Sequence, residues 1–188
     1  MKPMISWSGR GARRASLAGL ILIVALAPLG CKRARTTGAA AEQPARLESE
    51  VAVGNPRAAV QLLKGFYGIE AGSWRWTGKQ FSAILRTPPG ASQNGAQLEF
   101  RFTVPDPVIA KLRTVTLAAA IGGAIFPAQT YSRPGDYVYS AAVPAEQLSG
   151  EAVTVNFQLD NAIPPNPPEL RELGVVAHSI ALKAQAAK

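Results

Sequence analysis

From residue 59 onward the chain alternates apolar and polar residues with a period of two, and no window of helical length carries a sustained 3.6 period. Gln97 to Val104 shows it most plainly. Leu98, Phe100, Phe102 and Val104 fall on one face, and Gln97, Glu99, Arg101 and Thr103 on the other. Val153, Val155, Phe157 and Leu159 repeat the pattern against Thr154, Asn156 and Gln158. Such stretches pack one face on a core and leave the other in water, the habit of antiparallel sheets. Further strands are expected at Ala59 to Phe66, Trp74 to Thr77, Phe81 to Arg86, Arg113 to Ile121, Ala124 to Gln129, Asp136 to Ala142 and Leu173 to Leu182. Turn signals separate them: Pro88-Pro89-Gly90, Asn94-Gly95, Pro105-Asp106-Pro107, Gly122-Gly123, Arg133-Pro134-Gly135-Asp136 and Ser149-Gly150. Gly122-Gly123 suits a two-residue hairpin with positive φ. Nine short strands so spaced predict an all-β sandwich or barrel, with helical turns near Pro107 to Leu112 and Ala145 to Leu148.

In the last strand, strict alternation would bury the imidazole of His178, the only histidine in the chain, beside Val176, Ile180 and Leu182. A bulge over Ala177 to Ser179 would keep Val175, Ile180 and Leu182 inside and turn His178 outward, and is the expected arrangement.

The first thirty residues read differently. Lys2, Arg10, Arg13 and Arg14 precede a 13-residue apolar run from Ala15 to Ala27. That is the layout of a secretory signal. A permanent membrane helix needs about 20 apolar residues, more than this run supplies before Pro28. Leu26-Ala27-Pro28-Leu29-Gly30-Cys31 resembles a lipoprotein lipobox, departing from it at Pro28. Cys31 is the only cysteine, so it has no disulfide partner within the chain and is the expected lipidation site. Lys32, rather than an aspartate, follows it, which fits the outer membrane of a cell envelope rather than the inner one.

Residues 1–30 are thus expected to be a signal peptide, 31–57 a flexible tether of low-hydrophobicity composition, and 58–188 one β-sandwich domain. The net charge of +8 falls to +4 once the signal is removed, and 58–188 carries only +2, with 11 basic and 9 acidic residues. A nearly neutral domain lacks the basic face that nucleic-acid binding requires.

Gly65-Phe66-Tyr67-Gly68-Ile69-Glu70, Trp74-Arg75-Trp76-Thr77, Phe157-Gln158-Leu159-Asp160 and Arg171-Glu172-Leu173-Gly174-Val175 together resemble a β-sandwich module. It occurs in uncharacterised bacterial lipoproteins, many acidobacterial, and is similar to jelly-roll modules joined to some bacterial glycosyltransferases. The resemblance covers about residues 60 to 184. It implies a galactose-binding-like jelly roll and a connection with surface polysaccharide, and it supplies no catalytic motif.

The chemistry-bearing residues point the same way. A lone histidine, with no Gly-x-Ser-x-Gly around any serine, gives no nucleophile–base pair. Zinc ligation is not expected with one histidine and one cysteine. No cofactor is expected, although a structural calcium would find oxygen ligands in Asp160 and loop carbonyls. Nothing in the spacing of Glu70, Asp106, Asp136, Asp160, Glu169 and Glu172 favours a hydrolytic carboxylate pair.

On a strand, Trp74 and Trp76 share a face, with Arg75 opposite. The indoles either fill the core or form a stacking platform for sugar rings. Arg75 is expected to pair with Glu70, Glu172 or Asp160. Arg171 and Glu172 follow a proline-rich loop, Asn161-Ala-Ile-Pro-Pro-Asn-Pro-Pro, that can hold ligand contacts or cover the end of the core. With nine strands alternating in direction, that loop and the one before Trp74 should lie at opposite ends of the sandwich. The expected function is a non-catalytic, lipid-anchored envelope lipoprotein serving glycan binding or surface-polysaccharide machinery. Trp74, Arg75, Trp76, Arg171 and Glu172 are its candidate glycan-binding residues. The competing expectation is a structural or scaffolding lipoprotein that binds another envelope protein.

Overall fold

The computed structural model describes residues 46–186. The expected signal segment, Cys31 and the expected tether up to residue 45 lie outside the described residues.

Among the described residues, ten strands form an antiparallel β-sandwich. They are β1 (Glu50–Ala52), β2 (Leu62–Phe66), β3 (Arg75–Arg86), β4 (Ala96–Val104), β5 (Val115–Ile121), β6 (Ala124–Ile125), β7 (Gln129–Tyr131), β8 (Gly135–Val143), β9 (Ala152–Leu159) and β10 (Val176–Ala184). One layer runs β1-β10-β4-β8 and the other β2-β3-β9-β5, with β6 and β7 sharing the outer edge of β5. Successive long strands cross from layer to layer: β3 to β4, β4 to β5, β8 to β9 and β9 to β10. Crossing at each step while keeping this strand order makes the sandwich a jelly roll, with β2 added at one edge.

The apolar faces predicted by the alternation meet between the layers. Phe81 of β3 stacks on Phe157 of β9, with ring centroids 4.9 Å apart and planes 13° apart, and Phe100 of β4 closes the stack at 5.4 and 4.9 Å. Phe100 in turn stacks on Phe102 at 4.9 Å. Aromatic rings 4.5–7 Å apart gain attraction beyond the area they bury, so this column links both sheets at their centre.

Gly122 and Gly123, at φ 57° and 92°, close the β5–β6 hairpin as expected. The two helical turns form as Asp106–Leu112 and Ala145–Leu148. The β10 register shifts between Ala177 and Ser179, so Val175, Ile180 and Leu182 are buried and His178 turns outward.

Three expectations are corrected. The folded domain begins before residue 58, because Glu50–Ala52 pairs with β10 and buries Val51 and Val53. Three residues are too few to show a period in sequence, and a partner 130 residues away supplies their stability. Asn94-Gly95 ends a short helical turn, Ala91–Asn94, instead of forming a simple turn. Most consequentially, Trp74 to Thr77 and Phe81 to Arg86 are not two strands: β3 runs unbroken across Gly78, Lys79 and Gln80. Its first residues pair with β10 and its later ones with β9, so the polar stretch marks the corner where one strand passes between sheets.

Candidate functional site

Merging those two strands reverses the direction count for everything downstream. The loop before Trp74 and the proline-rich loop therefore share one end of the sandwich, against the expectation of opposite ends. Arg171 makes the connection. Its Nη1 donates to Glu70 Oε1 at 2.7 Å, while Nε and Nη2 donate to the two carboxylate oxygens of Glu169 at 2.9 and 2.8 Å. The guanidinium also lies 5.3 Å from the centroid of the Tyr67 ring, within cation–π range. Hydrogen bonds from the Arg171 side chain and backbone lower the Glu169 carboxyl to about pH 2. Bonding to Glu169 and Glu70 raises the Arg171 pKa.

The neighbouring candidates are likewise engaged within the chain. Arg75 donates through Nε to Val53 O at 2.7 Å and through Nη1 to Tyr67 O at 2.8 Å, not to Glu70, Glu172 or Asp160 as expected. Backbone carbonyls win because Tyr67 is bonded through its amide to Trp76 O, and Val53 follows β1 on β10, the strand that also pairs with the start of β3, so both carbonyls come within reach of the Arg75 side chain. Glu172 Oε1 accepts the Lys79 amide at 2.6 Å, satisfying a backbone donor at the corner of β3. Asp160 Oδ1 accepts the Thr116 amide at 2.8 Å.

Trp74 and Trp76 remain. Both are half-buried, and they meet edge to face with centroids 6.4 Å apart and planes at 81°. Trp76 also leans on the core, so the two expected placements are combined: each indole is held by packing and keeps part of its surface in solvent. A turn holds the pair from below. Glu70 and Trp74 exchange backbone hydrogen bonds of 2.8 and 3.3 Å around Ala71-Gly72-Ser73.

The ladder places further residues beside the indoles. Trp76 of β3 stands opposite Val176 of β10, Val176 opposite Thr103 of β4, and Thr103 opposite Asp136 of β8. Directly paired residues project from the same face, so the four share one face of the sheet, along which Val176 is buried, Trp76 and Thr103 are half-buried and Asp136 is exposed. Thr103 Oγ1 bonds the Asp136 carboxylate and lies 2.7 Å from His178 Nε2. The alternation of β4 places Thr103 outward and the bulge frees His178, but their meeting depends on β10 lying between β3 and β4. No local pattern records that. Among the described residues, no group of three or more His, Cys, Asp or Glu side chains is arranged to hold a metal ion.

No family model matches the chain, and no curated protein matches it. A solved structure described as "CBM4 structure and function" aligns with 66% of this chain and 77% of its own, at 11% identity and a TM-score of 0.33. Similarity at that level leaves the ligand to be argued from the chain's own residues.

Proposed function

We propose that this chain is a non-catalytic, lipid-anchored lipoprotein of the cell envelope whose β-sandwich binds glycan, with the edge-to-face pair Trp74–Trp76 as the stacking surface. The observation that carries the reading is the pair of half-buried indoles meeting edge to face, Trp74 carried by a tight turn and Trp76 held by core packing. Sugar rings present C–H faces that stack on such surfaces, and a rigid aromatic loses little side-chain entropy on binding. Arg75, Arg171 and Glu172 act around the indoles as scaffold, since each is already bonded within the chain.

The non-catalytic part of the reading draws on the carboxylates of this end. Glycoside hydrolysis needs a carboxylic acid whose pKa is raised so that it can donate a proton. Glu169 is displaced the opposite way, and Glu70 shares the same arginine. Anchoring rests on the lipobox resemblance at Cys31, and the outer membrane on Lys32. Isothermal titration of the chain against the host's surface polysaccharides tests the binding. Affinity of millimolar or tighter that drops in Trp74→Ala and Trp76→Ala supports it; no binding, or binding indifferent to both changes, removes it. Labelling with radioactive palmitate, lost in Cys31→Ala, tests the anchor.

A second reading, a scaffold for another envelope protein, is favoured by one feature. Ile125 is 79% exposed beside a groove of about 300 Å³ that Lys64, Gln80, Ala118, Ala120 and Asn156 also line. Crosslinking in cells distinguishes the two: one dominant protein attached near Ile125 favours the scaffold.

A further inference from the structure

We infer that the binding surface extends from the indoles along the lateral row to Asp136, Thr103 and His178, and that it receives an uncharged, hydroxyl-rich oligosaccharide lying across the strands. The inference rests on the glycan-binding reading and adds the polar half of the site. Three strand spacings separate Trp76 from Asp136, a span of about 14 Å, which suits a short oligosaccharide better than a single sugar.

The hydrogen bonding of the cluster defines the ligand. A carboxylate only accepts, so the single Thr103 hydroxyl proton goes to Asp136, and Thr103 Oγ1 must then accept from the Nε2–H of His178. In the neutral imidazole, that direction puts the proton on Nε2 and leaves Nδ1 as an acceptor. The second oxygen of Asp136 is an acceptor as well. Among the described residues no protein donor reaches either atom. The row thus has two held acceptors at one end and partly exposed aromatic surface at the other, with Val176, itself buried, on the strand between them. Sugar hydroxyls donate to such acceptors while ring C–H groups cover the indoles. An acidic sugar would bring a second negative charge to Asp136 and is disfavoured.

Thr103 acts as a positioning residue, holding the carboxylate and the imidazole in register across β8, β4 and β10. Each strand is already paired through its backbone here, so replacing exposed Asp136 removes a ligand contact without opening the sheet.

The test is isothermal titration of the full chain with hexasaccharides of β-1,4-linked glucose, xylose and mannose, and with an alginate hexasaccharide as the acidic comparison. The best neutral ligand should bind at least tenfold more weakly in Trp76→Ala. It should bind at least fivefold more weakly in Asp136→Ala, His178→Ala and Thr103→Val, while Gln97→Ala, far along the same face of β4, keeps wild-type affinity. In a parallel NMR titration, the single imidazole resonance should move with the same dissociation constant as the Trp74 and Trp76 indole N–H signals. Indoles that move while the imidazole stays still, with wild-type affinity in the three polar variants, would overturn the extension and leave the indole platform standing. Tighter binding of alginate than of every neutral hexasaccharide would overturn the ligand class. Failure of the unsubstituted chain to bind any of the four would overturn both the extension and the platform.

Discussion

Arg171 and Glu70, 101 residues apart in sequence, are joined by a 2.7 Å hydrogen bond between Nη1 and Oε1, and this pair ties the proline-rich loop to the turn that carries Trp74. The same guanidinium grips both oxygens of Glu169. Glu169 titrates near pH 2 in the folded chain, against about 4.3 for an unperturbed glutamate. A depressed carboxylate pKa contributes stability that is present above the unfolded value and lost as pH falls through the folded one. The two loops should therefore loosen between about pH 4 and pH 2, while pH 5 to 8 leaves them unchanged. Hydrogen exchange of the Glu70 and Arg171 amides across that range measures it. In Glu169→Gln the acid-dependent step should be much reduced, and an undiminished step would show that another group is responsible.

Gln61 makes a different kind of tie. It is 3% exposed, and its amide donates to Glu48 O at 2.9 Å and Ile84 O at 2.8 Å while its oxygen accepts from Glu48 N at 3.0 Å. One side chain thus satisfies three backbone groups between the entry of the chain and β3. Replacement by alanine leaves them unpaired in a partly buried place, at a cost of about 1–3 kcal/mol. Urea denaturation of Gln61→Ala should show a lower midpoint with an unchanged slope, whereas a midpoint equal to that of the parent would refute this role.

Much of this architecture was legible in the sequence, and the exceptions have one cause. Alternation marks Phe81, Phe100 and Phe157 as inward because each sits among polar neighbours of its own strand. It also fixes Trp74 and Trp76 on one face. Gly78-Lys79-Gln80 defeats it. A strand passing between two sheets exchanges partners there, and its composition at that corner resembles a loop. The continuity of β3 through that corner is what brings Arg171 to the end of the sandwich that carries Trp74 and sets the two loops side by side. β1 and the joining of Trp76 to Thr103 escape notice for the related reason that they exist only through pairing with β10, more than a hundred residues away from β1 and 70 or more from Thr103 and Trp76.

Gly65 marks a place where no side chain fits. Its φ is +74°, and an added Cβ would lie 2.0 Å from the carbonyl oxygen of Gln80 and 2.7 Å from Phe81 Cα. Gly65→Ala combines left-handed strain with a backbone clash that β2 can relieve only by leaving β3. A loss of about 2–4 kcal/mol is expected, as for overpacked positions that also carry backbone strain. Thermal unfolding checks it. Because β2 is an edge strand, a folded remainder with β2 detached would appear as faster hydrogen exchange confined to Leu62–Phe66. A melting temperature equal to the parent's would show that the predicted clash does not arise.

Ala71 runs in the opposite direction, toward a gain. With Gly72 it forms the centre of the Glu70–Ser73 turn, closed by the Ser73 amide on Glu70 O at 3.1 Å, and both central residues have positive φ, 47° and 66°. Turns with two positive φ values favour Asn-Gly, because asparagine tolerates the left-handed region while a β-carbon on most other residues crowds the following carbonyl. Ala71 is exposed, so its replacement disturbs no packing. Ala71→Asn should therefore stabilise the domain by about 0.5–1 kcal/mol, read as a higher urea midpoint. The turn supports Trp74 from below and does not form the stacking surface, so glycan affinity should stay within twofold of the parent. A gain in stability accompanied by a large loss of affinity would mean that Ala71 itself meets the ligand and that the platform reaches over the turn rather than across the strands.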